Sequence, residues 1–396
     1  MRVVMVSDVY FPRINGVSTA IKTYRQSLQA LGVDVHLVAP DYGSPCAETW
    51  ITRVAARPVP GDPEDRLVRW QPMFDAVEEA VDHGCDLIHV QTPFVAHYAG
   101  SRIARRYGVP LVATYHTLFE EYLKHYAPLV PAAWLRALAR RFSRQQCNAL
   151  DAVIVPSHAI FDRLRAYGVT RPLHVLPTGV SLRPAPAAGR DDFRARLGIA
   201  AERPVALFVG RVAHEKNIGF LLDVVDLTRA TVPGILLLIA GEGPALPQLR
   251  AAVAERGLHK VVRFIGYLDR ETALPACYAA ADAFVFASRT ETQGLVLLEA
   301  MAAGLPVVAL AAMGTVDILA AGRGALVPDD DPGAFSLALV SVLNHADRRR
   351  RLSAEARAYA REWSDDRLAG RMADLYLQIA ASHRRQNPVG ISLSPL

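Results

Sequence analysis

Cysteine is scarce and scattered. Cys46, Cys85, Cys147 and Cys277 include no C-x-x-C pair and sit in no histidine cluster. That argues against a disulfide framework and against structural zinc, and it suits a reducing cytoplasm. Long apolar runs are also missing; none approaches the roughly 18–20 residues of a membrane span. No secretory pattern precedes the first strand-like run, since Met1 leads straight into "RVVMVS". The loop after that run has no G-x-G-x-x-G, so the nicotinamide dinucleotide fingerprint is absent there. Nor is one sign of charge dominant: 44 Lys and Arg face 39 Asp and Glu, a net +5, too mild to imply nucleic acid.

What is present is length and alternation. At 396 residues the chain exceeds the size, about 250–300 residues, at which single cores stop growing, so two domains are expected. Short apolar runs alternate with helical periods. "VVMVS", "VDVHLVAP", "DLIHVQ", "VPLVATYH" and "ALDAVIVPS" read as buried strands, with a helix from about Val17 to Leu31 after the first. The Pro- and Gly-rich "VSLRPAPAAGRDD" reads as a linker. The alternation then restarts with "PVALFVGR", "GILLLIAGEG", "VVRFIGYL", "ADAFVFAS", "LPVVAL" and "GALVP".

The expectation is an α/β chain with two doubly wound, Rossmann-like domains facing a central cleft. The first spans 1–180 and the second 181–364. The helix in "DDRLAGRMADLYLQIAAS" lies beyond the second sheet; at about 365–383 it is expected to return to the first domain, with 384–396 as a loose tail. Trp363, Leu368, Met372 and Leu375 follow a roughly helical spacing that fits packing.

Ligands of open parallel sheets sit outside the carboxyl ends of the strands, so strand-end loops are where chemistry is sought. Gly16 precedes a helix start, where amides could meet an anion; by itself it equally serves a turn. Arg211 and Lys216 in "VGRVAHEKN" put two cations beside a helix N-terminus, as a diphosphate requires, although such cations are often merely solvated. "RTETQGLVLLEAMAAG" is a loop followed by a helix. It carries Glu291 in the loop and Glu299 eight positions later, inside an otherwise apolar run. The amides around Gly294 and Leu295 fall in a first helical turn, where they lack helical partners. A carboxylate at Glu299 could accept two hydrogen bonds from a vicinal diol; the plainer reading is a buried glutamate satisfied by backbone or an arginine. "PDDDPGAF" holds Asp329 and Asp331 in a metal-like Asp-x-Asp, but its place before Pro332 reads as a helix cap, and no metal site is expected.

At this point the chain resembles the retaining glycosyltransferases of family four, which have the GT-B fold. "NGVSTA", "ATYHT", "VIVPS", "LPTGV", "GRVAHEKN", "IAGEGP", "VRFIGYL" and "ETQGLVLLEAMAAGLPVVA" occur in the expected order over nearly the whole length. The resemblance implies a nucleoside diphosphate sugar as co-substrate, with no cofactor. It implies that Glu299 holds the ribose and that Glu291 lies by the donor sugar. Gly294 and Leu295 would contact sugar and phosphate. Arg211 and Lys216 would grip the diphosphate, Gly16 would let a first-domain loop close over it, and His116 would sit by the sugar. Gly266 and Tyr267 would border the base. Gln293 stands where the family often has an aromatic.

The acceptor side is read from "HTLFEEYLKHYAPLVPAAWLRALARRFSRQQCN". Between Gly100 and Asn148, eight Arg or Lys face two acids. From Trp134 the segment is helical, with Trp134, Leu138 and Phe142 on one side and Arg136, Arg140 and Arg144 on the other, Arg141 beside them. The plainer reading is a core-facing helix with a solvated basic face; the functional one is contact with anionic lipid. "HTLFEEYLKHY" also resembles the H-T-x-Y-E-x-Y region of bacterial diacylglycerol glycosyltransferases. Phe119 replaces the first aromatic there, and Glu120, Glu121 and Tyr122 would border the acceptor. The expected function is hexose transfer, from a UDP-sugar in preference, to a membrane lipid such as diacylglycerol. The enzyme would be cytoplasmic and peripheral on the inner face of the membrane. The alternatives are GDP-mannose-dependent transfer to a glycolipid or polysaccharide precursor, and a nucleotide-sugar-binding protein without catalysis.

Overall fold

The computed structural model describes residues 1–43, 48–59, 62–116, 132–182 and 189–386. The chain divides into two compact units. One comprises Met1–Gly179 with the segment that begins at Asp365, the other Val180–Ser364.

The first unit is built on seven parallel strands. In chain order they are β1 (Arg2–Val6), β2 (Asp34–Pro40), β3 (Ile51–Val54), β6 (Leu87–Val90), β7 (Leu111–Thr114), β8 (Ala152–Val155) and β9 (Leu173–Val175). They are arranged β3-β2-β1-β6-β7-β8-β9, and a two-stranded antiparallel ribbon, β4 (Ala56–Val59) with β5 (Asp62–Val68), stands apart. The order turns at β1, so the gap between β1 and β6 is the switch point at which such sheets take ligands. Strands buried on both faces explain the unbroken apolar runs: β1, β6 and β8 are almost fully inaccessible.

Helix α1 (Gly16–Ala30) starts one residue earlier than the periodicity suggests, because Asn15 caps it by accepting from the Ser18 amide at 2.8 Å. Three more helices follow in this unit: α2 (Trp70–Asp82), α3 (Val95–Tyr107) and α4 (Ala132–Asn148). A fifth, α5 (His158–Ala166), lies between β8 and β9.

The second unit has six parallel strands: β10 (Val205–Val209), β11 (Leu236–Ala240), β12 (Val262–Gly266), β13 (Ala283–Phe286), β14 (Val307–Ala309) and β15 (Ala325–Leu326). Their order is β12-β11-β10-β13-β14-β15, with its switch point between β10 and β13. The helices in chain order are α6 (Gly189–Arg196), α7 (Ile218–Thr228), α8 (Leu246–Glu255), α9 (Ala273–Ala280) and α10 (Leu295–Ala302). They continue as α11 (Thr315–Leu319), α12 (Pro332–Leu343) and α13 (Ala346–Ala360). Helix α6 begins inside the stretch read as linker, so Gly189 onward is ordered helix there. The Asp331 side chain accepts from the Ala334 amide at 2.8 Å, the helix-cap role read from its sequence.

The last helix, α14 (Asp365–Gln386), packs against α1 in the first unit. Leu368, Met372, Leu375 and Tyr376 enter the core with β1 and α1. The expectation of a loose tail from Arg384 is corrected at its start, because Arg384, Arg385 and Gln386 continue this helix. No helix among the described residues is long and apolar enough to cross a membrane.

Candidate active site

In the second unit the switch point places the loops after β10 and β13 side by side. After β10 the chain runs through Arg211 into a short 3-10 turn, His214–Lys216, and Asn217 then takes a left-handed conformation to start α7. After β13 comes the loop with Glu291. Three contacts tie the two loops together. The Lys216 ammonium donates to Glu291 Oε1, the Asn217 amide to the Ala287 carbonyl at 3.2 Å, and the Ser288 hydroxyl to the Glu215 carbonyl at 3.3 Å. Both members of the Lys216–Glu291 pair are mostly buried, with side chains 21% and 15% exposed.

The loop after β11, "GEGP", packs its backbone on that of the β10 loop. The Val212 amide donates to the Glu242 carbonyl at 2.8 Å, and Ala245 donates back to Val212. A side chain at Gly241 would collide with the Gly210 carbonyl, and one at Gly243 with that of Val212. These glycines are required for close approach of two backbones, an explanation that the sequence alone did not supply.

Gly294 caps α10 in a left-handed conformation, φ 94°. The Leu297 amide is the first to return to the cap carbonyl, so the amides of Leu295 and Val296 lie in the turn that lacks helical partners. One turn in, Glu299 is not left waiting for a partner. Arg270, from the loop after β12, donates to Oε1, and the Tyr278 hydroxyl on α9 donates to Oε2 at 2.9 Å. Burial, and next the charge of Glu299, push the Tyr278 hydroxyl well above its usual range, so it remains a donor. Glu299 in turn holds the Arg270 guanidinium more firmly charged. A carboxylate has about four acceptor positions, so this pairing fixes the orientation of Glu299 and leaves it acceptor capacity. Arg270 and Tyr278 were missed in the sequence because nothing local connects them to Glu299. Tyr267, at the end of β12, is 37% exposed, and Gln293 is buried.

In the first unit, the space above the start of α1 is open. A side chain at Gly16 would meet nothing within 4 Å, and its backbone is not in the left-handed region. The turn therefore does not demand glycine. Behind β1, the buried Asp8 carboxylate accepts from the Thr92 hydroxyl at 2.7 Å and from the Ala96 amide at 3.1 Å. It joins the β1 loop to the start of α3. Burial pushes its pKa up to about 6, against those hydrogen bonds. The sequence reading passed over Asp8.

His116 stands just past β7. Its Nε2 lies 2.9 Å from Gln91 Oε1, so that nitrogen carries the proton and donates. Burial holds the imidazole neutral, its pKa pushed down to about 4. A second layer lies beneath. His89 Nδ1 meets the Tyr376 hydroxyl at 2.6 Å and its Nε2 meets Thr114 Oγ1 at 2.8 Å. The strand that carries His116 is thereby tied to α14.

Glu120, Glu121 and Tyr122 lie outside the described residues. Helix α4 corrects the plainer reading of its apolar row. Leu135 and Ala139 are the buried positions, whereas Trp134 is 75% and Leu138 59% exposed. Arg136, Arg140, Arg141 and Arg144 are exposed as well, with Arg140 over the Tyr167 ring. The helix thus presents aromatic, aliphatic and cationic side chains to solvent together.

Two family models match this chain: "Glycosyltransferase Family 4" over residues 14–183 and "Glycosyl transferases group 1" over residues 189–359. The alpha-monoglucosyldiacylglycerol synthase of Streptococcus pneumoniae is 34% identical over 78% of this chain and 71% of its own. A GDP-mannose-dependent alpha-mannosyltransferase of Mycolicibacterium smegmatis is 30% identical over 92% of this chain and 94% of its own. Among solved structures, the sucrose-phosphate synthase of Thermosynechococcus elongatus superposes with a TM-score of 0.78 over 96% of this chain and 100% of its own, at 23% identity. With two Rossmann-like sheets and these matches along its length, the chain belongs to glycosyltransferase family 4 and has the GT-B fold.

Proposed function

We propose that the enzyme is a retaining, metal-independent hexosyltransferase that moves a hexose from a UDP-sugar to a membrane lipid such as diacylglycerol. It would work as a peripheral protein on the inner face of the membrane. The observation that carries the lipid reading is α4, with Trp134 and Leu138 turned outward among four arginines. An amphipathic aromatic–basic surface suits an anionic bilayer interface. The similarity to a glucosyldiacylglycerol synthase supports the same acceptor.

The bond to break joins the anomeric carbon to a diphosphate oxygen. Negative charge grows on the departing diphosphate, and preorganised cations and amides there lower the barrier. Arg211, Lys216 and the first-turn amides of α10 are assigned that task, Glu299 the ribose and Glu291 the donor sugar. Tyr267 borders the base, and Gly16 leaves room for the diphosphate. His116, kept neutral by burial, is assigned a place beside the sugar. The departing diphosphate takes the proton of the acceptor hydroxyl as that oxygen attacks on the same face, which keeps the anomeric configuration.

GDP-mannose-dependent transfer is the second reading, favoured by the near end-to-end match to the mannosyltransferase. The test is transfer from UDP-glucose, UDP-galactose and GDP-mannose to diacylglycerol in mixed vesicles, with the product's anomeric configuration read by NMR and a chelator control. A UDP-sugar giving an α-linked lipid product with chelator present is expected. Product only from GDP-mannose moves the function to the second reading. An inverted product, or activity that needs added magnesium or manganese, rejects the mechanism.

A further inference from the structure

A second concave site lies at the amino ends of strands β13 and β14, the opposite end of the second sheet from the Lys216 loop. Asp282, just before β13, and Leu305 with Pro306, just before β14, line a cavity of about 780 Å³. Five arginines line it: Arg190 from α6, Arg349, Arg350 and Arg357 from α13, and Arg361 just beyond. Arg349, Ser353 and Arg357 follow one another at four-residue spacing, which places them in one row along α13, and Arg361, four further on, opens the 3-10 turn that follows. The single carboxylate in the wall, Asp282, is already held by Arg190 at 2.9 Å and Arg194 at 3.0 Å.

Capping of helix ends accounts for part of this cluster. Arg190 donates to the Ala279 and Ala281 carbonyls, and Arg349 to those of Val342 and Leu343. It does not account for the rest. Among the described residues Arg350 pairs only with the exposed Asp347 on its own helix. Arg357 reaches Ser353 at 3.0 Å, and its capping contact, to the Ala303 carbonyl at the end of α10, is long at 3.5 Å. Arg361 is exposed and has no side-chain partner among the described residues.

We propose that this cavity is an anion site for a ligand carrying two or more phosphate groups, separate from the loops around Lys216. Guanidinium forks match phosphate oxygens in pairs. Arg357 and Arg361, about 6 Å apart by helical rise, suffice for one phosphate, and Arg350 on the same wall leaves positive charge for a second. The excess of cations in the cavity draws polyanions in particular. Its wall includes Tyr278 and the last turn of α10 at Ala302 and Ala303, the same two elements that hold and carry Glu299.

The test is calorimetric titration of the full chain with sodium tripolyphosphate at fixed ionic strength. Binding is expected to persist in Lys216→Ala. It should weaken at least about tenfold in Arg357→Gln/Arg361→Gln, since each lost charged hydrogen bond is worth roughly tenfold, and Arg357→Lys/Arg361→Lys should restore part of it. Unchanged affinity in the glutamine pair, or loss of all binding in Lys216→Ala, overturns the proposal. If the pair does not fold, the exposed Arg361→Gln alone decides by the same comparison. Vesicles of phosphatidic acid in phosphatidylcholine that displace tripolyphosphate assign the phosphate to a lipid headgroup. Vesicles that leave it bound assign it to a soluble molecule.

Discussion

Tyr278 and Arg270 each take one oxygen of Glu299, the hydroxyl from a helix 21 residues upstream and the guanidinium from the loop before it. Glu299 is therefore oriented from two sides before any ligand arrives. Removing the hydroxyl in Tyr278→Phe should raise the donor KM about three- to tenfold, with kcat nearly unchanged, because one net hydrogen bond is worth about 1 kcal/mol. Arg270→Ala strands a carboxylate that is 13% exposed. It should destabilise the protein by about 1–3 kcal/mol in denaturant melts, the cost of a buried polar group that has lost one partner. Wild-type behaviour of both variants would disconnect Glu299 from the donor.

Lys216 joins two strand-end loops through Glu291. If it also neutralises the leaving diphosphate, Lys216→Ala should lower kcat about 10²–10³-fold, the size of one preorganised charge-stabilising donor. Single-turnover transfer rates check this. A rate within threefold of wild type would show that the ion pair is structural only.

The exposed face of α4 makes a membrane prediction with a salt dependence. Each basic residue near an anionic surface contributes about 1 kcal/mol. Arg136→Glu/Arg141→Glu should therefore reduce binding to phosphatidylglycerol vesicles by about 30-fold or more. Trp134→Ala should weaken it further, and high salt should mimic the arginine changes. Equal co-sedimentation of wild type and variants would remove this surface as a docking face.

Burial of titratable groups in the first unit predicts an acid limb of stability. His116 and His97 are pushed down from 6.5 to about 4, and His89 to about 3. The unfolded chain binds those protons first. The stability these three contribute is complete above 6.5 and is lost as pH falls through about 4 and then 3. Asp8 acts in the other direction. Raised from 3.8 to about 6, it contributes stability below 3.8 that is lost as pH rises through about 6. Denaturant melts from pH 7 to 4 should show net loss, and Asp8→Asn should make that loss steeper. Because His116 is neutral above about pH 5, the transfer rate between pH 6 and 8 should carry no step from it. A step near 6.5 that disappears in His116→Gln would refute the neutral assignment.

The parallel sheets and most strand ends were legible because strands covered on both faces must be apolar throughout, and "VALFV" or "LLLIA" admit little else. Arg211, Lys216, Glu291 and Glu299 were legible as candidates because strand ends are few and charges there are conspicuous. Their partners were not, because sequence distance hides them: Lys216 meets Glu291 across 75 residues. The two readings of helix α4 stayed open in the sequence for a related reason. A Trp134–Leu138 spacing marks one face of a helix, but only the neighbouring elements decide whether that face is inside. Here Leu135 and Ala139, a step around the helix, hold that place.

The backbone contact between the loops after β10 and β11 has one more consequence. A side chain at Gly241 or Gly243 would have to push a peptide group aside, and that peptide leads directly to Arg211 and on to Lys216. A screen for lost activity would return both glycines beside the charged residues, although their contribution is clearance. Substitutions in these two loops therefore have less freedom than their polar sequence suggests, because the neighbour that must yield is backbone and not the end of a flexible side chain.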